Sequence, residues 1–240
     1  MSDNKPFEGR LALVTGASKG IGAATARALA AAGAHVIITG RNVKALETVE
    51  DEIHDAGGHA TIAPMELAEQ DAIARLAAAI AGRWDKLDIM VLSAAYLPML
   101  GPVSQIEGKP LGEALTTNVL ATQALLAAFD PLLKRSDRGR VIGMSSGVVD
   151  SPRPYWGAYA ATKAASDMLL ECYAQEVERI SDIRVAIVNP GATRTAMRAR
   201  AYPGEDPATV KPPEVVADRL VQLLVEDFPN RHREAIVNPA

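Results

Sequence analysis

The chain has 240 residues, of which 25 are Lys or Arg and 29 are Asp or Glu, so its formal net charge is −4. This slightly acidic balance gives no general attraction to nucleic acid or to an anionic membrane, and an aromatic content of 4% argues against a base-stacking surface. The length suits one α/β domain with a large core.

Composition also bears on location and on bound groups. No stretch reaches the roughly 18 uninterrupted apolar residues of a membrane-spanning helix, and residues 1–6 lack the apolar core of a signal peptide, so we expect a cytoplasmic protein. Cys172 is the only cysteine, which excludes an internal disulfide, and its place in a predicted helix favours a small buried packing role. The four histidines are scattered without a convincing carboxylate partner, so we expect no required metal.

Strand-like and helix-like segments alternate along the chain. An apolar run at 11–14 leads into a glycine-rich turn, then a helix predicted over 23–32 and a strand over 35–40. Such alternation predicts a single doubly wound α/β domain over 1–240, with helices on both faces of a central parallel sheet. Further strands are predicted at 60–64, 87–92, 140–144 and 185–188, and further helices at 44–56, 71–83, 111–133 and 159–180.

The glycine-rich turn carries Gly16, Gly20 and Gly22 between the first strand and the first helix. Glycines allow a tight turn and close approach of the backbone, so a pyrophosphate can lie against the free N–H groups and the positive dipole end of the helix. The alternative is an ordinary glycine-rich turn, because the spacing Gly-x-x-x-Gly-x-Gly differs from the usual dinucleotide fingerprint.

The end of the second strand bears on which nucleotide would bind. An NAD site places an acidic residue there to bind the ribose 2′-hydroxyl, whereas this chain has Gly40 and then Arg41. Arg41, together with Lys19 in the glycine-rich turn, offers two cations to a 2′-phosphate. This predicts NADP rather than NAD, the alternative being that both side chains are solvent-facing charges.

Tyr159 and Lys163 stand four residues apart in a predicted helix and therefore share one face. A nearby ammonium favours the phenolate, so it lowers the phenol pKa from its ordinary value of about 10 toward the range of a general acid or base. The alternative for such a spacing is a solvated pair on a surface helix.

Together these segments resemble the short-chain dehydrogenase/reductase family over nearly the whole chain. The resemblance implies a Rossmann fold and an NADP(H)-dependent oxidoreductase that interconverts a carbonyl and a secondary alcohol. It rests on an ordered set of motifs, namely the turn at 15–22, Asn118, Ser146, Tyr159 with Lys163, and Pro190-Gly191.

By this resemblance four residues form a proton relay. Tyr159 gives a proton to the carbonyl oxygen or takes it back, while Ser146 hydrogen-bonds that oxygen. Lys163 binds the nicotinamide ribose and lowers the pKa of Tyr159, and Asn118 orders a water that links Lys163 to solvent. The alternatives are a helix cap for Asn118, a turn hydroxyl for Ser146 and a surface charge for Lys163. Ser145 is a neighbouring candidate, but a spacing of thirteen residues to Tyr159 favours Ser146.

The resemblance also implies the contacts of the nucleotide. Glu66 and Leu67 are expected beside the adenine, Thr193 near the nicotinamide carboxamide and Thr195 near the pyrophosphate. The expected cofactor-binding residues are Gly16, Ser18, Lys19, Gly20, Ile21, Gly22, Arg41, Glu66, Leu67, Ser93, Ala94, Tyr159, Lys163, Pro190, Gly191 and Thr193.

One segment departs from the family pattern. The family shows Asn-Asn-Ala-Gly after the fourth strand, where this chain has Ser93-Ala94-Ala95-Tyr96. The Tyr96 ring is expected either to point into the substrate cleft or to adopt a conformation that glycine reaches more freely.

The small-molecule substrate is expected to lie among the irregular segments at 96–99, 148–156 and a loop over about 192–212. Arg198 and Arg200 in that loop favour salt bridges, with an anionic substrate as the alternative. Trp156 and Tyr155 favour an apolar carbonyl compound instead.

Partners and rival functions follow from the same resemblance. The long helices of the family pair between subunits, which implies a homodimer or homotetramer, although an apolar helix face can equally be intramolecular core. A rival function is a regulatory or sensor protein that binds NADP with little turnover. A structural oligomer without cofactor is a third reading, but it would leave the glycine-rich turn and Arg41 unexplained.

Overall fold

The computed structural model describes residues 5–69 and 71–237. Strands and helices alternate along most of this length, as the sequence predicts. In chain order they are β1 (Leu11–Thr15), α1 (Gly20–Ala31), β2 (His35–Gly40), α2 (Val43–Asp55), β3 (His59–Pro64), α3 (Ala72–Ala81), β4 (Ile89–Leu92), a 3₁₀ turn (Val103–Gln105), α4 (Gly108–Leu115), a π-helical turn (Thr116–Leu120), α5 (Ala121–Lys134), β5 (Arg140–Met144), α6 (Gly147–Asp150), α7 (Gly157–Val177), β6 (Arg184–Asn189), α8 (Ala196–Ala201), a 3₁₀ turn (Pro207–Thr209), α9 (Pro213–Glu226) and β7 (His232–Ala235).

The seven strands form one parallel sheet in the order β3-β2-β1-β4-β5-β6-β7. The chain builds outward from β1 through β2 and β3, then returns to start the other half with β4. A crevice forms where the direction of winding reverses, at the carboxyl ends of β1 and β4. The predicted doubly wound, three-layer α/β/α fold is confirmed.

The core has one hydrophobic cluster on each face of the sheet. Because side chains alternate along a strand, Val36 and Ile38 of β2 join the first cluster while Ile37 joins the second. Helices α1, α2 and α9 cover the first face, with Leu220 fully buried, and α3, α5 and α7 cover the second around Phe129. Burial on both faces explains why the inner strands read as continuous apolar runs.

Several elements begin or end elsewhere than predicted. The first helix starts at Gly20 rather than at residue 23, since the low helix propensity of glycine hides its first turn. The predicted helix over 111–133 extends from Gly108 to Lys134 and contains the π-helical turn, which carries Asn118. The predicted loop at 192–212 contains α8, whose N-cap Thr195 accepts a hydrogen bond from the backbone N–H of Arg198.

The structure also bears on the compositional predictions. Cys172 is exposed on α7, so the predicted buried packing role is wrong. Within residues 5–69 and 71–237, no helix combines the length and apolar character needed to cross a bilayer. The same part of the chain brings no three potential metal ligands together. The signal-peptide prediction concerns residues 1–6, of which 1–4 lie outside the described residues.

Candidate active site

Two adjoining cavities open at the carboxyl ends of the strands. The large cavity, of about 420 Å³, lies against the glycine-rich turn, the end of β2 and the segment after β4. The small cavity, of about 320 Å³, lies against the ends of β5 and β6 and against α8. Tyr159 lines both cavities and so forms part of the wall between them.

The structure brings most of the predicted nucleotide contacts to the large cavity. Gly191 and Thr193 line the small cavity instead, and Lys163 and Asn118 are buried and line neither. The predicted residues that line the large cavity are Gly16, Ser18, Lys19, Gly20, Ile21, Gly22, Arg41, Glu66, Leu67, Ser93, Ala94, Tyr159, Pro190 and Thr195.

At two positions of the glycine-rich turn the neighbouring backbone leaves no room for a side chain. Gly16 has a φ of 67°, and a Cβ there would lie 2.8 Å from the Cα of Ala94. A Cβ on Gly22 would overlap the carbonyl oxygen of Gly16. The first turn of α1 has no side-chain cap from its N-cap residue Lys19, so its N–H groups stay available to an anion in the large cavity.

Gly22→Ala is expected to destabilise the fold by about 1–3 kcal/mol, because the new methyl group forces the turn away from α1. Thermal unfolding should show a midpoint lowered by several degrees. Gly112→Ala is the matched control, since that helical glycine in α4 has nothing within 4 Å of its Cβ direction. An equal melting temperature for the two variants would contradict the close packing of the turn.

Thr15 joins the glycine-rich turn to the segment after β4. Its hydroxyl accepts hydrogen bonds from the backbone N–H groups of Ser93 (3.1 Å) and Ala94 (3.2 Å). These bonds fix the backbone that packs against Gly16. No local pattern predicts these bonds, because the partners of Thr15 lie 78 and 79 residues further along the chain.

Arg41 has a carboxylate beside it in the folded chain. Its Nη1 lies 3.4 Å from Oε2 of Glu66, and the two side chains are 74% and 41% exposed. Although the end of β2 carries no acidic residue, Arg41 has an acidic neighbour in the folded chain. An exposed pair at this distance is weak, so a stronger anion such as a phosphate can displace Glu66 from Arg41.

Tyr159 and Lys163 share one buried face of α7, with exposures of 7% and 5%. Burial raises the pKa of Tyr159 to about 12, and the carboxylate of Asp167 adds to the rise. The expected lowering of this pKa by Lys163 is thus wrong for this structure, because loss of hydration disfavours the phenolate. Burial also lowers the pKa of Lys163, and Asp167 opposes that change.

Asp167 is a buried carboxylate that the sequence analysis missed. Its Oδ2 accepts a hydrogen bond of 2.5 Å from Ser145 and lies 3.7 Å from Nη1 of Arg233. Its Oδ1 is buried without a hydrogen-bond partner among the described residues. The available signal was the spacing, since Asp167 follows Lys163 by four residues and so lies one helical turn away.

The two neighbouring serines after β5 have different surroundings. The hydroxyl of Ser145 is committed to Asp167. Ser146 is half-buried, lines the small cavity and precedes α6 without capping it. Of the two hydroxyls, that of Ser146 is the one left available to a molecule in the small cavity, which agrees with the choice made from its spacing to Tyr159.

Asn118 connects the segment after β4 to α7. Its side chain accepts a hydrogen bond from the N–H of Tyr96 (2.7 Å) and donates to the Tyr96 carbonyl and to Thr162, each at 2.9 Å. Thr162 in turn donates to the carbonyl of Tyr159. Both amide hydrogens of Asn118 are therefore used, so the water relay expected of this residue would need its remaining acceptor positions.

Tyr96 fits its position without the left-handed backbone that would favour glycine. The ring lines the large cavity. A hydrogen bond to Glu113 raises the pKa of the Tyr96 phenol. The departure from the family pattern thus places an aromatic side chain at the edge of the large cavity.

A buried lysine holds the turn after β6. Nζ of Lys211 donates to the carbonyls of Ala192 (3.1 Å) and Ile236 (2.9 Å). Gly191, with a φ of 63°, packs so closely that a Cβ would lie 2.6 Å from the Ile236 carbonyl oxygen. These contacts fix the backbone of the turn beside the small cavity.

A family model, a sequence relative and solved structures all place this chain among the same proteins. The model of the short chain dehydrogenase family matches residues 10–206. The uncharacterized oxidoreductase YciK of Escherichia coli K12 is 37% identical over 221 residues, which cover 91% of this chain and 87% of YciK.

Solved structures with the same fold include two that were crystallised with a nucleotide. A short chain dehydrogenase from Shigella flexneri, complexed with NADP, matches with a TM-score of 0.91 at 34% identity and covers 97% of this chain and 98% of its own. A short chain dehydrogenase from Escherichia coli CFT073, complexed with NADPH, also matches with a TM-score of 0.91 at 34% identity. The match covers 99% of this chain and 100% of that one. With a family model matching most of its length, this chain belongs to the short-chain dehydrogenase family.

Proposed function

We propose that this chain is an NADP(H)-dependent oxidoreductase that interconverts a carbonyl compound and a secondary alcohol. The observation that carries the proposal is the position of Tyr159, a phenol in the wall between the two cavities. From there it can exchange a proton with a substrate in the small cavity while a nucleotide fills the large one. Relatives crystallised with NADP and NADPH support the choice of cofactor.

The residues around the large cavity suit a phosphorylated dinucleotide. The close packing at Gly16 and Gly22 lets a pyrophosphate approach the backbone, and the uncapped start of α1 offers N–H donors. Lys19 and Arg41 are both exposed, line this cavity and would hold the 2′-phosphate. When bound, NADPH supplies the hydride, which adds to the carbonyl carbon.

The chain's own residues manage the oxygen and the proton. Tyr159 donates its phenol proton to the carbonyl oxygen as the carbon gains the hydride, so the product is a neutral alcohol. Ser146 hydrogen-bonds the same oxygen and holds it in place. Lys163 supplies a positive charge one helical turn from Tyr159, on the same face of α7. Asn118 holds α7 against the segment after β4.

Arg41→Ala is expected to weaken NADPH binding about tenfold and to leave NADH binding nearly unchanged. The reason is that only NADPH carries a 2′-phosphate, and one charge-assisted hydrogen bond accounts for a difference of this size. Fluorescence titration with both nucleotides measures it. Arg75→Ala, which removes another exposed arginine paired to a glutamate, is the control. Equal losses for NADPH and NADH would contradict the role of Arg41.

The proposed activity is tested by titrating the purified protein with NADPH and NADH, then adding ketones, aldehydes and quinones and following the loss of reduced nicotinamide absorbance. NADPH binding with turnover supports the enzyme. The alternative is an NADP-binding regulatory protein with little turnover, which the Tyr96 substitution at the large cavity favours. Tight NADPH binding without turnover over the whole panel would support that alternative, and no binding of either nucleotide would contradict both.

Three further predictions stay as proposals. We propose one catalytic domain over 1–240, a cytoplasmic location, and a homodimer or homotetramer. The exposed side chains of Leu120, beside α5, and Met168, on α7, are 61% and 62% accessible and suit contact between subunits. Light scattering on the purified protein measures the assembly.

A further inference from the structure

We propose that the substrate held by the small cavity is an uncharged ketone with a flat apolar body of one or two rings. This inference rests on the oxidoreductase function proposed above and names the class of molecule that the site accepts. The chemistry is the one already given: the ketone carbon gains a hydride from NADPH, and the oxygen gains the proton of Tyr159.

One side of the small cavity is apolar and aromatic, while Ser146, Asn189 and Thr193 are among the polar residues that line the rest. Leu97, Val148 and Tyr159 form a buried cluster against which Trp156 and Met197 pack. The Trp156 ring lies 6.0 Å from that of Tyr159 in an edge-to-face arrangement and 5.8 Å from that of Tyr202. These rings pack on one another, and together they form an aromatic surface on which a flat ring of the substrate can pack with favourable edge or offset geometry.

The charged side chains near the cavity are already used within the protein. Arg198 makes a two-bond ion pair with Glu205, at 2.7 and 2.5 Å, and lies 3.7 Å from the Tyr202 ring. Arg200 donates to the backbone carbonyl of Leu97. These contacts hold α8 over the cavity. The charge of Arg198 is paired with Glu205, and Arg200 does not line the cavity, so neither arginine is placed to neutralise a substrate carboxylate.

Arg153 also lines the small cavity, so binding of an anionic substrate to its guanidinium has to be considered. It is exposed and donates to the Tyr202 hydroxyl at 3.0 Å. A carboxylate that reached it would gain little, because exposed ion pairs are weak, whereas a carboxylate held against the apolar side of the cavity would lose part of its hydration. Charge therefore disfavours anionic substrates.

The size of the cavity limits the substrate. A volume of about 320 Å³ is near the lower end of the range for small-molecule sites. Part of that space borders Ile21 and Pro190, which also line the large cavity. The remaining room suits one or two rings with a short ketone side chain.

The fluorescence of Trp156 reports whether a ligand occupies the small cavity. The chain has two tryptophans, and Trp84 lies apart from the cavity against His35 and Arg83. In a Trp84→Phe variant saturated with NADP⁺, we expect acetophenone and 2-acetonaphthone to quench the fluorescence of Trp156, and 4-acetylbenzoate and 2-octanone to quench it weakly. If this variant does not fold, the wild-type signal minus that of Trp156→Phe gives the same reading.

Turnover with NADPH completes the test. We expect kcat/KM for acetophenone to exceed that for 4-acetylbenzoate, which has the same skeleton plus a carboxylate, by at least about tenfold. Equal or better use of 4-acetylbenzoate, lost in Arg153→Met, would overturn the proposal in favour of an anionic substrate. A higher kcat/KM for 2-octanone than for acetophenone would overturn the proposal that the substrate has a flat body. If no ketone quenches Trp156 while NADPH binds and another compound is reduced, the substrate class is wrong and the oxidoreductase stands; if NADPH does not bind, the proposed function itself fails.

Discussion

Tyr159→Phe is expected to lower kcat for carbonyl reduction by about 10²–10⁴-fold while NADPH affinity stays within about twofold of the wild type. The substitution removes one hydroxyl from a side chain that is 7% exposed and keeps the ring that packs against Leu97 and Val148. The cavity keeps its shape, so only the proton donor is lost. Steady-state kinetics with a ketone substrate and fluorescence titration with NADPH measure the two quantities separately.

Tyr173→Phe is the matched control for that experiment. Tyr173 lies on the same helix, is also buried, and its hydroxyl bonds to Asp130 at 3.0 Å, away from both cavities. We expect this variant to lose some thermal stability and to keep its turnover. Should Tyr159→Phe retain more than about a tenth of the wild-type kcat, another group supplies the proton and the assignment of Tyr159 is wrong.

The interior of the fold was predictable because its pattern is local. The strand predicted at 35–40 is built on the apolar run Val36-Ile37-Ile38, and the structure has β2 at His35–Gly40. In contrast, no strand was assigned to residues 232–235. β7 is an edge strand with alternating burial and the sequence His-Arg-Glu-Ala, and it exists because it pairs with β6. Its strand character comes from tertiary pairing rather than from its own composition.

The candidate site divides in the same way. The glycine-rich turn, Tyr159 and Lys163 are short motifs whose spacing is legible in the sequence. Asn118 was found by resemblance, but its bonds to Tyr96 and Thr162 span 22 and 44 residues. No local pattern predicts such partners, and those partners use both amide donors of the Asn118 side chain.

The pKa of Tyr159 shows why ionisation is also beyond the sequence. The motif puts an ammonium one turn from a phenol, which by itself predicts a lower pKa. The fold buries both groups and adds the Asp167 carboxylate, so the pKa of Tyr159 rises to about 12 instead. Tyr159 is consequently protonated at neutral pH, the form needed to donate a proton in carbonyl reduction.

Asp167→Asn is expected to move the alkaline limb of the pH profile for reduction to lower pH. In the wild type the Asp167 carboxylate raises the pKa of Tyr159 and opposes the lowering of the Lys163 pKa. A neutral side chain removes both effects, so Tyr159 loses its proton, and Lys163 its charge, at lower pH than before. Reduction needs the phenol, so the rate is kept below these pKa values and lost as pH rises through them.

The measurement is kcat/KM for one ketone with NADPH between pH 6 and pH 10. At pH 10 we expect the ratio of the Asp167→Asn rate to the wild-type rate to be lower than it is at pH 7, because loss of the carboxylate lowers the pKa values of both Tyr159 and Lys163. Asparagine keeps an acceptor for Ser145, so the hydrogen bond at the end of β5 is preserved.

Two controls separate charge from structure. Asp167→Glu keeps the negative charge and should restore the wild-type profile, provided its thermal unfolding shows that the longer side chain fits. Asp130→Asn removes a carboxylate that contacts Tyr173 and Lys134 rather than the site, and it should leave the profile in place. If Asp167→Asn lowers the rate equally at every pH, Asp167 acts only by holding Ser145 and the end of β5. If the limb moves as expected, a carboxylate that reaches neither cavity adds to burial in widening the pH range over which Tyr159 can donate its proton.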